Sequence, residues 1–153
     1  MYQKKIICAD EKETRHLAEQ IALVAQRGDV FALYGTLGAG KSTFSRYFIQ
    51  ALTKATDVPS PTFTLLQTYE APDFDIYHYD MYRLKQPDEA YELDIEEAFY
   101  NGVCLIEWPE KIAPLLPKNL WNVQIEANGN SRTFIFETTS EEKYQRLEGG
   151  LVE

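Results

Sequence analysis

Residues 35–42 have the types and the spacing that bind phosphate groups. They read Gly-Thr-Leu-Gly-Ala-Gly-Lys-Ser, which fits the pattern G-x-x-x-x-G-K-[ST] of a loop that surrounds the phosphates of a nucleotide. Glycines let phosphate oxygens approach backbone N–H groups, Lys41 can reach the β and γ phosphates, and the Ser42 hydroxyl can bind Mg²⁺. The residues expected to contact the nucleotide are Thr36, Leu37, Gly38, Ala39, Gly40, Lys41, Ser42 and Thr43.

The segments on either side of this loop have the pattern that such a loop requires. Residues 30–34 form a short apolar run typical of a strand. Behind the loop, Phe44, Phe48 and Leu52 recur at helical spacing and predict a helix over 42–53. The first turn of that helix directs unpaired N–H groups and the positive end of its dipole toward an anion. The order of strand, glycine loop and helix therefore favours a nucleotide site.

Two carboxylates could serve a nucleotide bound at this loop, since its chemistry requires a Mg²⁺ ligand and a group that orients the attacking oxygen. Glu107 directly follows 103–106, an apolar run typical of a strand buried on both faces. We expect Glu107 to bind Mg²⁺, directly or through water, or to act as a general base. Asp80 lies near the end of a second predicted strand, 76–81. A catalytic role for Asp80 competes there with a structural salt bridge to Arg83.

Three further residues each have more than one interpretation. Thr62 lies in the proline-rich loop 58–63 and can sense a γ-phosphate as a switch threonine does. His78 is more typical of a histidine packed in a strand than of a catalyst. Trp108, beside Glu107, could cover the nucleotide, contact a partner or belong to the core.

The rest of the chain predicts the elements that must position these residues. Gly35, Asp80 and Glu107 all fall at the carboxyl ends of predicted strands, where α/β sheets collect their ligands. The other elements expected are a strand over 4–8, a helix over 11–26 capped by Asp10, a strand over 64–69, a helix over 88–100, a hairpin of 121–127 with 133–138, and a helix over 140–148. We expect one three-layer α/β domain over residues 1–153, P-loop NTPase-like, with a central mixed sheet of parallel and antiparallel strands.

Composition and charge limit the possible classes of protein. No apolar run approaches the roughly 18 residues of a membrane span, and no secretory leader opens the chain, so a cytoplasmic protein without membrane contact is expected. Cys8 and Cys104 lie in apolar segments and are expected to be buried and reduced. The net charge of −9 and the lack of a basic stripe argue against wide contact with DNA or RNA phosphates.

Acidic side chains are concentrated in residues 70–97. The segment has two interpretations, a solvated acidic face or a docking surface for a basic partner. Its acidic residues are Glu70, Asp73, Asp75, Asp80, Asp88, Glu89, Glu92, Asp94, Glu96 and Glu97.

Four segments, taken together, resemble the TsaE family of small bacterial P-loop ATPases of tRNA threonylcarbamoyladenosine biosynthesis. They are 35–43, 60–64 (Ser-Pro-Thr-Phe-Thr), 77–84 (Tyr-His-Tyr-Asp-Met-Tyr-Arg-Leu) and 105–110 (Leu-Ile-Glu-Trp-Pro-Glu). The resemblance runs in register from about residue 10 to residue 132. It implies a Mg²⁺-dependent ATPase that supports the TsaB and TsaD proteins in modifying the adenosine next to the anticodon of certain tRNAs.

The resemblance also implies roles for individual residues. Lys41 and the loop match phosphate-binding positions, and Ser42 and Glu107 match Mg²⁺ ligands, although the family often has threonine where Ser42 stands. Asp80 matches an aspartate needed for activity. The remaining matches are Thr62 to the switch-like loop, Trp108 to the tryptophan beside the metal-binding glutamate, and Thr14 and Arg132 to an adenine or phosphate contact. Because the chain is acidic, any tRNA is expected to be reached through partner proteins.

Three alternatives to such an ATPase stay open. A P-loop small-molecule kinase could use Arg83 and Arg132 as phosphate clamps, although the chain lacks an arginine-rich lid segment. A GTP switch is less favoured because no N-K-x-D motif occurs. A nucleotide-dependent scaffold would order a partner surface on ATP binding, without hydrolysis.

Overall fold

The computed structural model describes residues 1–36, 38–62 and 64–151, and within them a central sheet with helices on both sides. The strands are β1 (Tyr2–Cys8), β2 (Val30–Tyr34), β3 (Leu66–Glu70), β4 (Asp75–Asp80), β5 (Gly102–Glu107), β6 (Trp121–Asn128) and β7 (Ser131–Thr138). The α-helices are α1 (Glu11–Val24), α2 (Lys41–Leu52), α3 (Ile95–Asn101) and α4 (Glu141–Leu151), and two 3₁₀ helices span Pro87–Leu93 and Pro109–Leu115.

The seven strands form a single sheet in the order β1-β7-β6-β2-β5-β4-β3. The four inner strands β6, β2, β5 and β4 are mutually parallel, whereas β7 pairs antiparallel with β6, β1 with β7 and β3 with β4. The expected mixed sheet is therefore confirmed. That residues 1–153 form one domain stays a prediction from the length of the chain.

Each face of the sheet carries its own hydrophobic core. Because successive side chains of a strand point to opposite faces, Leu105 of β5 joins one core while Cys104 and Ile106 join the other. The first core receives apolar residues of α1, α2 and α4, such as Phe44, and the second receives residues of α3 and of both 3₁₀ helices, such as Ile112. The three layers expected from the sequence are thus present. Helices α1, α2 and α4 cover one face of the sheet, and α3 with both 3₁₀ helices covers the other.

Helix α1 begins where the sequence predicts and ends earlier. The Asp10 carboxylate accepts a hydrogen bond from the backbone N–H of Glu13 at 3.0 Å, while the Glu13 carboxylate accepts from that of Ala9 at 2.7 Å. These reciprocal bonds satisfy donors that the first helical turn leaves unpaired. The predicted end at residue 26 is wrong, because the helix ends at Val24 and the N–H of Gln26 instead donates to the Asp29 carboxylate at 2.9 Å.

The predicted helix over 88–100 is two elements. A 3₁₀ helix begins at Pro87 and ends at Leu93, and α3 follows only after Asp94, whose φ of 56° lies in the left-handed region. The hydroxyl of Tyr79 donates to the carbonyl of Leu93 at 2.7 Å, so a contact from the sheet fixes the end of the first element. The second 3₁₀ helix, Pro109–Leu115, has no counterpart among the predicted elements.

Two of the expectations drawn from composition can be compared with the described residues. No helix within them is both long and apolar enough to cross a membrane. Cys8 and Cys104 are free thiols and both are buried, as predicted, and burial raises the pKa of each thiol above its ordinary value.

Candidate functional site

The glycine loop lies between the end of β2 and the start of α2, at the carboxyl edge of the parallel strands. Gly40 has a φ of 117°, a conformation that an L side chain rarely adopts. A Cβ on Gly35 would lie 2.7 Å from the carbonyl oxygen of Ile125 in β6, which is too close for a real side chain. Only glycine therefore fits at the start of the loop. Both positions therefore require glycine for a steric reason.

Lys41 is held inside the loop by two contacts. Its Nζ donates to the carbonyl oxygen of Gly35 at 2.8 Å and lies 3.6 Å from the ring centroid of Trp108. Burial lowers the pKa of the Lys41 ammonium below its ordinary value, and the carboxylates of Glu107, Glu110 and Asp80 oppose that effect in part. The ammonium is thus a poorly hydrated cation in an acidic neighbourhood, ready to exchange its carbonyl partner for an anion.

Ser42 and Glu107 meet directly although 65 residues separate them. The Ser42 hydroxyl lies 3.0 Å from Glu107 Oε1 and 3.1 Å from Oε2. Parallel pairing of β2 with β5 causes this contact, since it places Leu33 beside Glu107 and brings the start of α2 over the end of β5. The Glu107 side chain is 4% exposed and therefore depends on such partners for solvation.

Asp80 lies beside Glu107 because β4 and β5 pair in parallel with these two residues in register. One carboxylate oxygen of Asp80 accepts from the hydroxyl of Thr62 at 3.3 Å, and the other accepts from the backbone N–H of Tyr82 at 3.0 Å. The Thr62 hydroxyl in turn lies 2.8 Å from that of Ser60. Asp80 is therefore bonded to the loop that carries Thr62, the residue expected to act as a switch.

Trp108 occupies a strained position at the mouth of the site. Its φ of 57° and ψ of 50° lie in the left-handed region, between the end of β5 and the following 3₁₀ helix. Its ring lies over Lys41, 4.9 Å from the ring centroid of Tyr82, and packs against the second core. Both the covering role and the packing role suggested by the sequence are thus compatible with its placement.

These side chains surround a cavity of about 500 Å³. Among the described residues, its lining includes most of those predicted, namely Gly38, Gly40, Lys41, Ser42, Thr43, Thr62, Asp80, Glu107, Trp108, Arg132 and Thr14. Within that same set, Thr36 and Ala39 do not line it, and Leu37 lies outside the described residues. The guanidinium of Arg132 donates to the carbonyls of Gly129 and Ser131, each at 2.8 Å, so its own hairpin holds it at the cavity.

Several cavity residues were missed from sequence. The start of α1 contributes Asp10 and Glu11, the β6–β7 turn contributes Asn130, and the loop before β3 contributes Ser60. In the sequence Asp10 was noted only as a helix cap and Ser60 only as part of the segment 60–64. Only the folding of α1, the hairpin and the loop before β3 around the glycine loop brings these residues to the cavity.

His78 was predicted to be a packed histidine, and the structure shows that it also contacts the site. It is 1% exposed, and its Nε2 lies 2.7 Å from Glu107 Oε2. One signal was present in the sequence: His78 and Asp80 are two residues apart on one strand and so share a face.

The donor set fits Mg²⁺ bound together with a nucleotide. The Ser42 hydroxyl and the Glu107 carboxylate offer adjacent oxygens, the ligand type that Mg²⁺ prefers. Within the described residues there is no cluster of three or more histidines, cysteines or carboxylates able to hold a metal ion by itself. Where Mg²⁺ binds with a nucleotide it commonly takes only one or two protein ligands, so these two adjacent oxygens would suffice to hold it.

Fold and site together define a three-layer α/β protein of the P-loop NTPase-like class. The sequence profile of the family described as "Threonylcarbamoyl adenosine biosynthesis protein TsaE" matches residues 8–134. The chain therefore belongs to the TsaE family, which is involved in tRNA threonylcarbamoyladenosine biosynthesis.

Individual relatives agree with this assignment. The TsaE protein of Rickettsia conorii is 48% identical over 123 residues, which cover 80% of this chain and 70% of the relative. That of Bacillus subtilis is 36% identical over 148 residues, covering 96% of this chain and 92% of the relative. The crystal structure of Bacillus subtilis YdiB superposes with a TM-score of 0.78 at 31% identity and covers 97% of this chain and 94% of that one.

Proposed function

We propose that this chain is a Mg²⁺-dependent ATP hydrolase that supports threonylcarbamoyladenosine modification of tRNA next to the anticodon. Membership of the TsaE family gives the pathway, and the ATP-dependent activity is inferred from the site. One observation carries the inference: Lys41, Ser42, Asp80 and Glu107, from three separate segments, converge on one cavity of about 500 Å³ at the end of the parallel strands. That volume lies within the usual range for small-molecule sites.

Each of these residues has a role in the proposed reaction. The Lys41 ammonium neutralises phosphate charge, and its poor hydration strengthens that attraction. Ser42 and Glu107 bind Mg²⁺, which supplies charge stabilisation at the phosphates when bound. Asp80 is the second carboxylate beside the reacting phosphate, and its bond to Thr62 connects the site to the switch-like loop. Trp108 covers the loop and limits access of water.

TsaB and TsaD are the proposed partners of the ATP cycle, and tRNA is reached only through them. The net charge of −9 supports this division, because phosphate backbones repel an acidic surface. The acidic residues of 70–97 other than Asp80 are exposed and so are available to a basic partner surface. Partner-dependent hydrolysis is expected, since a partner can complete a site that works slowly alone.

The test compares wild type, Lys41→Ala and Glu107→Gln for nucleotide binding and phosphate release. Each protein is assayed with Mg²⁺ or with a chelator, alone and with TsaB and TsaD. We expect slow hydrolysis by the wild type, faster hydrolysis with the partners, and a loss of about 100-fold or more in both variants. Equal turnover with and without the partners would contradict the proposed cycle, and the absence of Mg²⁺–ATP binding would contradict the site.

The same variants separate hydrolysis from a scaffold function. If Glu107→Gln abolishes hydrolysis while tRNA modification continues undiminished, ATP binding alone suffices and the protein is a nucleotide-dependent scaffold. A kinase has no specific support here: of the two arginines considered as clamps, only Arg132 lines the cavity within the described part of the chain, and its guanidinium bonds its own hairpin.

A further inference from the structure

The buried contact between His78 and Glu107 has no role in the function proposed so far. His78 Nε2 lies 2.7 Å from Glu107 Oε2, and the two side chains are 1% and 4% exposed. The other ring nitrogen, Nδ1, is buried and has no hydrogen-bond partner among the described residues. The ring therefore makes a single polar contact, and that contact is with the carboxylate expected to bind Mg²⁺.

Hydrogen-bond chemistry determines which nitrogen carries the proton. Glu107 is a carboxylate with acceptor oxygens, so a proton on Nε2 lets the ring donate to Oε2. The same choice leaves Nδ1 as an unpaired acceptor, which is tolerated in protein interiors more readily than an unpaired N–H. An apolar side chain would avoid the unpaired Nδ1 but would remove the 2.7 Å contact with Glu107, so packing alone does not explain a histidine here.

The Ser42 hydroxyl can donate its hydrogen to Glu107 and still offer a lone pair to a cation. It carries one hydrogen, which it donates to Glu107 at 3.0 or 3.1 Å in this structure. The contact from His78 reaches Oε2 of Glu107, so it leaves Oε1 available to a cation.

We propose that His78 is a positioning residue that holds the Glu107 carboxylate in the orientation needed to receive Mg²⁺ with a nucleotide. This inference rests on the proposed function, because Glu107 is one of the two Mg²⁺ ligands that the proposed function assigns. Hydrogen bonds of this kind, behind the metal ligands, fix ligand orientation, and their loss typically weakens metal binding or activity about 10-fold to 100-fold.

A matched pair of variants separates the hydrogen bond from packing. His78→Gln places an amide N–H near the position of Nε2, whereas His78→Met has a similar length and volume but no donor. Tyr79→Phe serves as the control, because it removes a hydrogen bond of the same strand, to the carbonyl of Leu93, on the opposite face of the sheet. Circular dichroism and thermal denaturation establish how far each variant stays folded.

Binding of a fluorescent ATP analogue is measured once with a chelator and once with Mg²⁺. The measured quantity is the dissociation constant with the chelator divided by that with Mg²⁺. We expect His78→Met to lower this ratio about 10-fold to 100-fold while metal-free binding stays unchanged. His78→Gln and Tyr79→Phe are expected to keep the wild-type ratio, whatever their melting temperatures. A wild-type ratio in His78→Met would overturn the inference, as would an equal loss in His78→Gln. A wild type that binds the analogue without any Mg²⁺ dependence would overturn the proposed metal site as well.

Discussion

At the scale of single residues, the contact between Lys41 and Trp108 links the glycine loop to the end of β5. The ammonium lies 3.6 Å from the centroid of the indole ring and bonds the carbonyl of Gly35. Phosphate oxygens at the loop would compete for the same ammonium, because they carry full negative charge and the carbonyl does not. Binding of a nucleotide should therefore change the electrostatic environment of the indole.

Tryptophan fluorescence tests this competition. The chain has two tryptophans, and Trp121 lies in the first core at 2% exposure. We expect Mg²⁺–ATP to change the emission of wild type and of Trp121→Phe, and to leave that of Trp108→Phe unchanged in a titration. A change that survives in Trp108→Phe and disappears in Trp121→Phe would show that the nucleotide acts on the core instead.

At the scale of elements, the attachment of α4 depends on one buried carboxylate. Asp29, which is 1% exposed, accepts from Lys143 Nζ at 2.8 Å and from Arg146 at 2.6 Å. Burial would raise the pKa of Asp29, but the hydrogen bonds from Arg146 and Lys143 outweigh it and hold that pKa below its ordinary value. The Arg146 guanidinium also donates to the carbonyl of Val24 at 2.9 Å, so the cluster ties α4 to the end of α1.

Asp29→Asn is expected to destabilise the fold by about 3–5 kcal/mol, because the buried Lys143 loses this counter-charge and the half-buried Arg146 keeps only the exposed Glu142. The control is Glu142→Gln, which removes the other carboxylate that pairs with Arg146 at 2.8 Å. The Glu142 side chain is 68% exposed, so its loss should cost only about 0.3–0.5 kcal/mol. Urea denaturation of both variants measures the difference, and equal losses would contradict the central role of Asp29.

The lowered pKa of Asp29 also predicts how this contribution varies with pH. Because the carboxylate binds a proton less readily in the folded state, its stabilisation is complete above the ordinary value of 3.8. It is lost as the pH falls through the lower pKa of the folded state. We expect Asp29→Asn to lack this part of the acid dependence in urea denaturations between about pH 5 and pH 2. Parallel stability curves for the variant and the wild type would contradict the assignment.

At the scale of the whole molecule, acidic side chains gather on the face formed by β4 and α3. Burial is the main cause of a raised pKa at Tyr77, and the charges of Glu97, Asp75 and Asp94 raise it further. Carboxylates from separate segments therefore act on this one phenol. We give the name acidic face to six exposed carboxylates of residues 75–97, namely Asp75, Asp88, Glu92, Asp94, Glu96 and Glu97.

Charge reversal on the acidic face tests its proposed use by partners. One double variant carries Glu96→Lys and Glu97→Lys. The control double variant carries Glu126→Lys and Glu141→Lys, which change the net charge equally at exposed sites elsewhere. We expect the first to weaken TsaB and TsaD binding about 10-fold or more and to lower partner-stimulated hydrolysis, with basal hydrolysis unchanged. Equal effects of both double variants in a pull-down and a hydrolysis assay would show that only net charge matters.

Elements defined by contiguous residues were predicted from the sequence, and elements fixed by distant contacts were not. The apolar run before the glycine loop, the cap at Asp10 and the β6–β7 hairpin depend on neighbours within a few residues, and all were predicted. The break at Asp94 was missed because Tyr79, from another strand, bonds the carbonyl that ends the first 3₁₀ helix. The end of α1 was misplaced for a similar reason, since the Asp29 carboxylate accepts a hydrogen bond from the backbone N–H of Gln26.

The sequence by itself was enough to predict the kind of chemistry proposed, because the glycine loop, its lysine and its hydroxyl are consecutive residues between a strand and a helix. It also placed Asp80 and Glu107 at the ends of strands. Only the tertiary structure decided which strands are neighbours. Parallel pairing of β4 with β5 and of β5 with β2 places Asp80, Glu107 and Ser42 side by side, and puts His78 behind the carboxylate that Ser42 contacts. Strand order depends on packing across the whole sheet, which no local pattern contains.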